Sequence, residues 1–255
     1  MRRPYIGITG FTRPEEVLSV LEVFPKIKDR QLMVGVLVSY KSLRRLPTNP
    51  RWARQMPSLE MIKDLFIDDE RVVNLVHYCP EEGQESSMLG DMLKIHDLAG
   101  PNFHGFQLNL VWPEICLLEE YRKVIGEGPR IVLQISKKAI EQAGEKTENV
   151  VEKLSLYREL IDDVLLDQSR GRGQLLATEE ARRFLLAIKE KGWDLGLGVA
   201  GGLGPDSLYL VEPLVADFPE LNIDAQSQLR DSENDLDLER AKTYLIKALK
   251  MFSLY

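Results

Sequence analysis

The chain has 255 residues, of which 44% are hydrophobic and 29% are charged, and this is the composition of an ordinary globular protein. A formal net charge of −7, with basic residues scattered along the chain, argues against a nucleic-acid partner, which requires a basic stripe. No apolar run reaches the length of a membrane span, the first residues lack the apolar core of a signal peptide, and Cys79 and Cys116 do not have metal-ligand spacing. We therefore expect a cytoplasmic protein with two free thiols and no membrane partner.

Short apolar runs alternate with helix-like segments along the whole chain. The predicted strands cover residues 5–9, 32–39, 72–77, 104–110, 131–135, 164–167, 195–199 and 221–225. Helices are predicted over 12–21, 58–66, 88–98, 113–121, 137–160, 179–189 and 236–254, and another begins at Gly204-Pro205. Thr12 and Glu15 form a capping-box pattern, Thr178 is a candidate N-cap, and Gly144-Glu145 interrupts the fifth helix.

Strict alternation of strand and helix implies a parallel sheet that is covered by helices. Eight such units are the number that closes a barrel, so we expect an α/β protein with a single (β/α)8 TIM barrel over residues 1–255. A doubly wound open sheet is the alternative fold. In a barrel the functional groups lie at the C-terminal ends of the strands, and we therefore expect a site there.

The stretch 194–207 (DLGLGVAGGLGPDS) ends an apolar strand on two adjacent glycines, Gly201 and Gly202. Their backbone N–H groups are not covered by side chains and precede a predicted helix N-terminus, an arrangement that suits a phosphate. The alternative is a plain strand-to-helix turn, where glycine is needed only for its backbone freedom. Barrels of this class often bind phosphate between the loops after strands seven and eight, which favours a phosphate site that includes Ser227 and Gln228.

Titratable residues also stand at predicted strand ends. Asp167 ends strand six, where a carboxylate acts either as a general acid or base or only as a stabiliser of its loop. Arg170 and Arg172 follow, and they either pair with an anionic substrate or are solvated. For Asp224 on strand eight, hydrogen bonding inside the barrel is the favoured role. His77 ends strand three, but the histidines form no evident metal cluster, so we expect no metal and no cofactor.

Three segments of the chain carry a likeness to a known family. Residues 8–17 (ITGFTRPEEV), 165–173 (LLDQSRGRG) and 199–208 (VAGGLGPDSL) match its patterns I-C-G-I-T-R-P-E-D, L-L-D and L-A-G-G-L-x-P-x-N-V. The chain thereby resembles phosphoribosylanthranilate isomerase of tryptophan biosynthesis. The resemblance implies a single (β/α)8 barrel and an Amadori rearrangement, in which an aminoaldose phosphate becomes an aminoketose phosphate.

The resemblance also implies catalytic roles for individual residues. The family's general acid matches Asp167, which is kept. Its general base, a cysteine, matches Thr9, whose hydroxyl is too weak a base at neutral pH without activation. This replacement predicts little or no activity on the family's own substrate. If the chain is an enzyme, another group must be the base, and His77 is the titratable candidate.

Ligand-binding positions of the family can be carried over in the same way. Arg51 resembles the arginine that pairs with the substrate carboxylate, and Asn109 stands where the family has a histidine. Arg172 replaces a glycine of the family's G-G-T-G loop, and the family's phosphate segment matches 226–228, where a glycine is lost. The predicted ligand-binding residues are Arg51, Asn109, Arg172, Gly201, Gly202, Ser227 and Gln228.

These observations leave more than one function open. The first is an aldose–ketose isomerase, or a related enzyme, that acts on a phosphorylated sugar derivative. The second is a non-catalytic barrel that binds a phosphorylated metabolite; loss of the family cysteine favours it, whereas Asp167 favours the enzyme. A structural protein without a small-molecule site is the third, and the glycines and polar residues at strand ends argue against it. Nothing in the sequence indicates the oligomeric state.

Overall fold

A computed structural model describes residues 2–26, 29–167 and 175–254 of the chain. Eight parallel strands close into one barrel in sequence order. The strands are β1 (Tyr5–Thr9), β2 (Gln31–Ser39), β3 (Val72–Cys79), β4 (Gly105–Leu108), β5 (Arg130–Ser136), β6 (Asp163–Asp167), β7 (Gly196–Ala200) and β8 (Asn222–Ala225). This confirms the predicted (β/α)8 barrel and excludes the doubly wound open sheet.

Helices alternate with these strands and cover the outside of the barrel. They are α1 (Pro14–Leu21), α2 (Tyr40–Leu43), α3 (Pro50–Ala53), α4 (Ile62–Leu65), α5 (Met88–Ala99), α6 (Ile115–Ile125), α7 (Lys137–Gln142), α8 (Thr147–Ser155), α9 (Thr178–Lys189), α10 (Glu212–Val215) and α11 (Leu238–Phe252). Short 3-10 helices lie at Leu59–Met61, Glu85–Ser87, Leu208–Leu210 and Ser227–Leu229. In the part of the chain that the structure describes, no helix has the length and apolar character needed to cross a membrane.

The core has two layers, one on each face of the barrel wall. Successive strand residues point to opposite faces. Met33, Val73 and Leu165 belong to a cluster inside the barrel, while Leu32 and Val34, the neighbours of Met33, belong to the cluster under the helices. Because both faces of the wall are buried, the strands read in the sequence as nearly continuous apolar runs.

The strand register brings the candidate site residues to one end of the barrel. Asp167 on β6 is paired with Ala200 on β7, which is paired with Asp224 on β8. On the other side, His77 on β3 is paired with Gln107 on β4. All of these residues lie toward the C-terminal ends of their strands, and we call this end the barrel mouth.

Two predicted helix starts are wrong by one residue because of local hydrogen bonds. Glu16 takes the place of Glu15 in capping α1, since its carboxylate accepts hydrogen bonds from the backbone N–H groups of Thr12 (2.8 Å) and Arg13 (3.2 Å). Thr178 is the first residue of α9 rather than its N-cap, and its hydroxyl donates to a backbone carbonyl oxygen 2.8 Å away.

The helix predicted to begin at Gly204-Pro205 does not form there. Ser207 Oγ accepts a hydrogen bond from the Gly204 N–H (2.9 Å) and donates to the carbonyl oxygen of Gly202 (2.8 Å), which folds this segment into a tight turn. Helical structure begins at Leu208 as a 3-10 turn, and the four-residue α10 follows. An anion site at this position therefore depends on loop N–H groups and not on a helix dipole.

Candidate active site

A buried carboxylate, that of Asp224, lies at the centre of the barrel mouth. Asp224 is only 5% exposed. The Thr9 hydroxyl on β1 lies 3.0 Å from each carboxylate oxygen and donates to them. Gln107 Nε2 on β4 donates to Asp224 Oδ2 at 3.1 Å. Thr9 therefore points into the barrel, as its predicted role requires, but it acts there as a proton donor to Asp224.

The Gln107 amide connects Asp224 to the other side of the barrel. Gln107 Nε2 also lies 3.1 Å from His77 Nδ1 and 3.3 Å from Gln134 Oε1 on β5. Gln134 Nε2 in turn donates to Asp167 Oδ2 at 2.8 Å. We call this set the polar network; its members are Thr9, His77, Gln107, Gln134, Asp167 and Asp224.

Burial changes the proton affinity of Asp224. Removal from water disfavours the charged carboxylate and raises the pKa of Asp224 to about 7, although the hydrogen bonds from Gln107 and Thr9 act in the opposite direction. Asp167, when it is ionised, raises this pKa further. A carboxyl group with a pKa near 7 is able to accept and release a proton at neutral pH, as a general base or acid must.

The pKa of His77 is shifted in the opposite sense. Burial lowers the pKa of its imidazole to about 4, so the ring is neutral at pH 7. His77 Nδ1 contacts Gln107, whereas its buried Nε2 has no hydrogen-bond partner within residues 2–26, 29–167 and 175–254. At neutral pH this imidazole is a weaker base than the Asp224 carboxylate.

Two adjoining cavities give access to the polar network. The smaller cavity, of about 40 Å³, lies between the network and the loops after β7 and β8. The larger cavity, of about 730 Å³, lies over the ends of β2 to β5 and falls in the size range of small-molecule sites. Both cavities are lined by Trp52, His77, Gln134, Asp167 and Gln226.

The predicted phosphate cradle lines the smaller cavity through Gly201, Gly202 and Ser227. Gly201 and Gly202 have φ angles of 106° and 61°, which favour glycine, so the turn presents backbone N–H groups instead of side chains. In the described part of the chain, the N–H groups of these three residues and of Gln228 donate no hydrogen bond. Gln228 itself does not line the cavity, because its Cβ lies against Gly204.

The other predicted ligand-binding residues are dispersed. Asn109 lines the larger cavity, and its Nδ2 donates to Cys79 Sγ at 3.4 Å. Arg51 on α3 is exposed and lines neither cavity, and its guanidinium carbon lies 5.8 Å from the centre of the Trp52 ring. Arg172 lies outside the described residues, as does the whole segment 168–174. The roles predicted for these residues stay predictions.

Two glutamines and a tryptophan of the site were not among the predicted site residues. Gln107 and Gln134 are 1% and 4% exposed, and each interrupts an otherwise apolar strand. Since buried polar groups need hydrogen-bond partners, an amide inside an apolar barrel strand is a usable sequence signal. Trp52 belongs to the long loop after β2, and nothing in its local sequence indicates that it reaches the mouth.

No set of three or more histidine, cysteine, aspartate or glutamate side chains in the described ranges is arranged to hold a metal ion. The side chains of the polar network offer proton transfer and hydrogen bonding. Asp224 and Asp167 are the carboxyl groups of the polar network, and both line the smaller cavity beside the cradle. This arrangement suits an acid–base reaction on a phosphorylated ligand.

No protein-family model and no curated protein sequence matches this chain. Solved structures do match it. Phosphoribosylanthranilate isomerases of Thermus thermophilus and Thermotoga maritima each align with a TM-score of 0.62, at 15% and 17% sequence identity. The alignments cover 98% of this chain and 99% and 100% of those chains. The chain has a phosphoribosylanthranilate isomerase-like fold.

A third structure agrees with this assignment. TrpF of Jonesia denitrificans aligns with a TM-score of 0.58 and 15% identity, over 97% of this chain and 98% of its own. At these identities the likeness establishes the fold, because barrels of one shape host many reactions. The function of this phosphoribosylanthranilate isomerase-like barrel has to be argued from its own residues.

Proposed function

We propose that the barrel mouth binds a phosphorylated sugar derivative and isomerises it by moving a proton between neighbouring carbons. In this proposal Asp224 is the general base, Asp167 is the general acid, and the loops after β7 and β8 hold the phosphate. The observation that supports the proposal is that the base and the phosphate-binding loops line the same cavity. The smaller cavity is lined by Asp224 and by Gly201, Gly202 and Ser227, whose N–H groups have no acceptor among the described residues.

Asp224 suits the role of base better than Thr9 or His77. The Thr9 hydroxyl donates its proton to Asp224 at 3.0 Å, so it supports the carboxylate. A pKa of about 4 gives His77 a much lower proton affinity than the pKa of about 7 gives Asp224. Because β8 pairs with β1, Asp224 stands one strand away from the position where the related enzymes carry their cysteine. We infer that it takes over the function of that cysteine.

The two carboxyl groups carry out all the proton transfers of the proposed reaction. Asp167 donates a proton to the ring oxygen of an aminoaldose phosphate while the C1–O bond breaks and the nitrogen lone pair forms C1=N. Asp224 then removes the C2 proton; the electron pair of that bond forms C1=C2, and the C1=N pair returns to nitrogen. C1 takes the proton from Asp224, the C2 hydroxyl returns its proton to Asp167, and a ketone remains at C2.

The larger cavity accommodates the substituent on the nitrogen. Trp52 and Met56 line it with an aromatic ring and a thioether, which favour contact with a flat apolar group. Its lysines are paired with glutamates: Lys41 Nζ lies 3.0 Å from Glu81, and Lys138 Nζ lies 2.8 Å from another glutamate carboxylate. We therefore propose an uncharged aryl amine as the preferred substituent.

Turnover of N-phenylribosylamine 5-phosphate, formed from aniline and ribose 5-phosphate, tests the proposed function. We expect the protein to form the ketose product faster than buffer does, and faster than it converts the anthranilate analogue. Asp167→Asn should lower the rate about a hundredfold or more while the protein stays folded. Asp206→Asn is the matched control, because Asp206 is exposed and lines neither cavity. A folded Asp167→Asn protein with the parent rate would remove Asp167 as the acid.

A barrel that binds a phosphorylated metabolite without converting it is the second candidate. Hydrogen bonds from Thr9 and Gln107 already satisfy Asp224 without any substrate, and this favours a purely binding role. Saturable binding of inorganic phosphate, with no turnover of any sugar phosphate, would support the binder and reject the isomerase. Absence of both binding and turnover would reject both functions.

A further inference from the structure

The imidazole of His77 has one nitrogen that is used and one that is not. His77 is 5% exposed, and its ring lines both cavities at the mouth. Its Nδ1 lies 3.1 Å from Gln107 Nε2. Its Nε2 is buried and has no hydrogen-bond partner among the described residues. Buried polar atoms are seldom left unpaired, so this atom points to a partner that comes from outside the chain.

The contact with Gln107 decides which nitrogen carries the proton. A side-chain amide nitrogen is only a donor, and the two shortest contacts of Gln107 Nε2, each of 3.1 Å, are with His77 Nδ1 and Asp224 Oδ2, so its two hydrogens go to these atoms and His77 Nδ1 is the acceptor. A neutral imidazole has a single N–H, which is then on Nε2. Burial holds the pKa of His77 at about 4, so the ring does not gain a second proton near neutral pH. His77 therefore presents a fixed, uncharged N–H group to the mouth.

We propose that His77 is a neutral hydrogen-bond donor that holds a sugar oxygen of the ligand through its Nε2–H. The inference rests on the proposed function, and it assigns His77 to the oxygen on C2, the carbon that loses its proton to Asp224. That oxygen changes from a hydroxyl to a carbonyl during the reaction and gains partial negative charge on the way. A preorganised neutral donor stabilises such charge without giving up its own proton.

This role differs from that of a general base in its pH dependence. Asp224 on β8 and Asp167 on β6 are the other titratable groups of the polar network. The titratable groups that line only the larger cavity with His77 are Cys79, Lys41, Glu81, Lys138 and Glu141. Burial raises the pKa of Cys79 to about 11, so this thiol stays protonated. A change of activity near pH 7 therefore belongs to Asp224, and removal of His77 should leave it in place.

The tautomer is measured on the full chain labelled with 15N-histidine. We expect the His77 signals to show protonated Nε2 and unprotonated Nδ1, unchanged between about pH 5.5 and 8.5. Addition of the reaction product, 1-anilino-1-deoxyribulose 5-phosphate, should shift the Nε2 resonance, whereas the half-buried His96 on α5, which lines neither cavity, should not respond. An Nδ1–H tautomer, a titration near neutral pH, or an Nε2 resonance unmoved by a bound product would overturn the proposal.

Two variants separate the donor from a merely structural ring. His77→Leu removes the N–H group, and we expect kcat to fall about a hundredfold or more, as when one preorganised donor is lost. His77→Gln places an amide nitrogen near the position of Nε2 and should recover part of this loss, with the activity change near pH 7 retained. Inorganic phosphate affinity should stay at the parent value in both variants. His96→Gln is the control.

The outcomes distinguish this inference from the proposed function. A His77→Leu protein that turns substrate over at the parent rate rejects the donor and leaves the isomerase standing. If the parent converts no sugar phosphate, the isomerase is rejected, and the Nε2 shift on addition of the product still decides whether His77 contacts a ligand. A variant that fails to fold leaves the tautomer and the product-induced shift of the parent protein as the deciding measurements.

Discussion

The hydrogen-bond count around Gln107 bears on the protonation of Asp224. Gln107 Nε2 carries two hydrogens, but three acceptors lie within 3.1 to 3.3 Å of it: Asp224 Oδ2, His77 Nδ1 and Gln134 Oε1. When Asp224 is ionised, Gln107 Nε2 is surrounded by one acceptor more than it has hydrogens. A proton on Asp224 relieves this shortage, and the count agrees with the raised pKa that burial gives the carboxyl group.

Asp224→Asn should change the pH dependence of stability. The pKa of Asp224 is raised from its ordinary value of 3.8 to about 7, so the folded chain holds this proton more tightly than the unfolded chain. The resulting stabilisation is fully present below about pH 4 and is lost as pH rises through 7. We therefore expect the free energy of unfolding of the parent, minus that of the variant, to fall between pH 5 and 8. Urea unfolding at both pH values measures it, and a constant difference would contradict the assigned pKa.

At the level of elements, the loops after β7 and β8, which form the predicted phosphate cradle, pack against each other. A Cβ on Gly204 would lie 2.7 Å from the Cβ of Gln228, so the two loops approach as closely as a glycine allows. Ser207 fixes the first loop through hydrogen bonds to Gly202 and Gly204. The cradle is therefore a preformed backbone surface.

Gly202→Asp should abolish the binding of inorganic phosphate. The substitution adds a negative charge to the wall of the smaller cavity and places a side chain at φ 61°. Gly192→Asp is the matched control, because Gly192 has φ 66° and open space around it, and it precedes β7, whereas the cradle follows β7 at the mouth. Calorimetric titration compares the two variants. Equal phosphate affinity in both would remove the cradle from this account.

Elements that depend on only a few neighbouring residues could be predicted from the sequence, and the others could not. Strand β1 and the Gly144-Glu145 interruption were predicted correctly, because apolar runs and glycine act within a few residues. The start of α1 was missed because Glu16 and Glu15 are both plausible caps, and only the backbone geometry selects Glu16. Prediction failed at the turn after Gly204, where a serine side chain replaces the first turn of a helix.

The site itself could be predicted only in part. The alternation of strands and helices in the sequence predicts where the strands end, and Asp167 and the Gly201-Gly202 pair lie at two of these ends. Asp224 contacts Thr9, which is 215 residues away in sequence, and Gln107, which is 117 residues away. These contacts depend on how the strands align in the barrel, which no local sequence pattern indicates. The role of Asp224 was therefore limited to hydrogen bonding, whereas the structure adds the raised pKa.

At the scale of the whole molecule, the two ends of the barrel have different tasks. The proposed chemistry lies at the mouth, whereas a buried ion pair connects strands at the opposite end. Arg130 on β5 forms two hydrogen bonds of 2.6 Å with Asp163 on β6, and Asn222 on β8 donates to the same carboxylate at 2.9 Å. These contacts tie three strands together far from the cradle.

Arg130→Met should destabilise the fold without changing the site. It leaves the Asp163 carboxylate, which is 1% exposed, without its charged partner, and such a loss costs about 3–5 kcal/mol. Urea unfolding should show this decrease, while phosphate affinity under native conditions stays at the parent value. Arg45→Met, which breaks the exposed pair of Arg45 with Glu60, is the control and should change stability little. A loss of phosphate affinity in folded Arg130→Met would show that the two ends are coupled.

The decisive measurement is the pH dependence of kcat/KM on the aniline-derived substrate, for the parent and for Asp224→Asn. It tests whether Asp224 is the general base. If Asp224 is the base, the parent value rises with pH through a midpoint near 7, as the carboxyl group loses its proton. The asparagine variant should be about a hundredfold or more slower and should lack this rise. A folded Asp224→Asn protein that keeps both the rate and the pH profile of the parent would contradict the account.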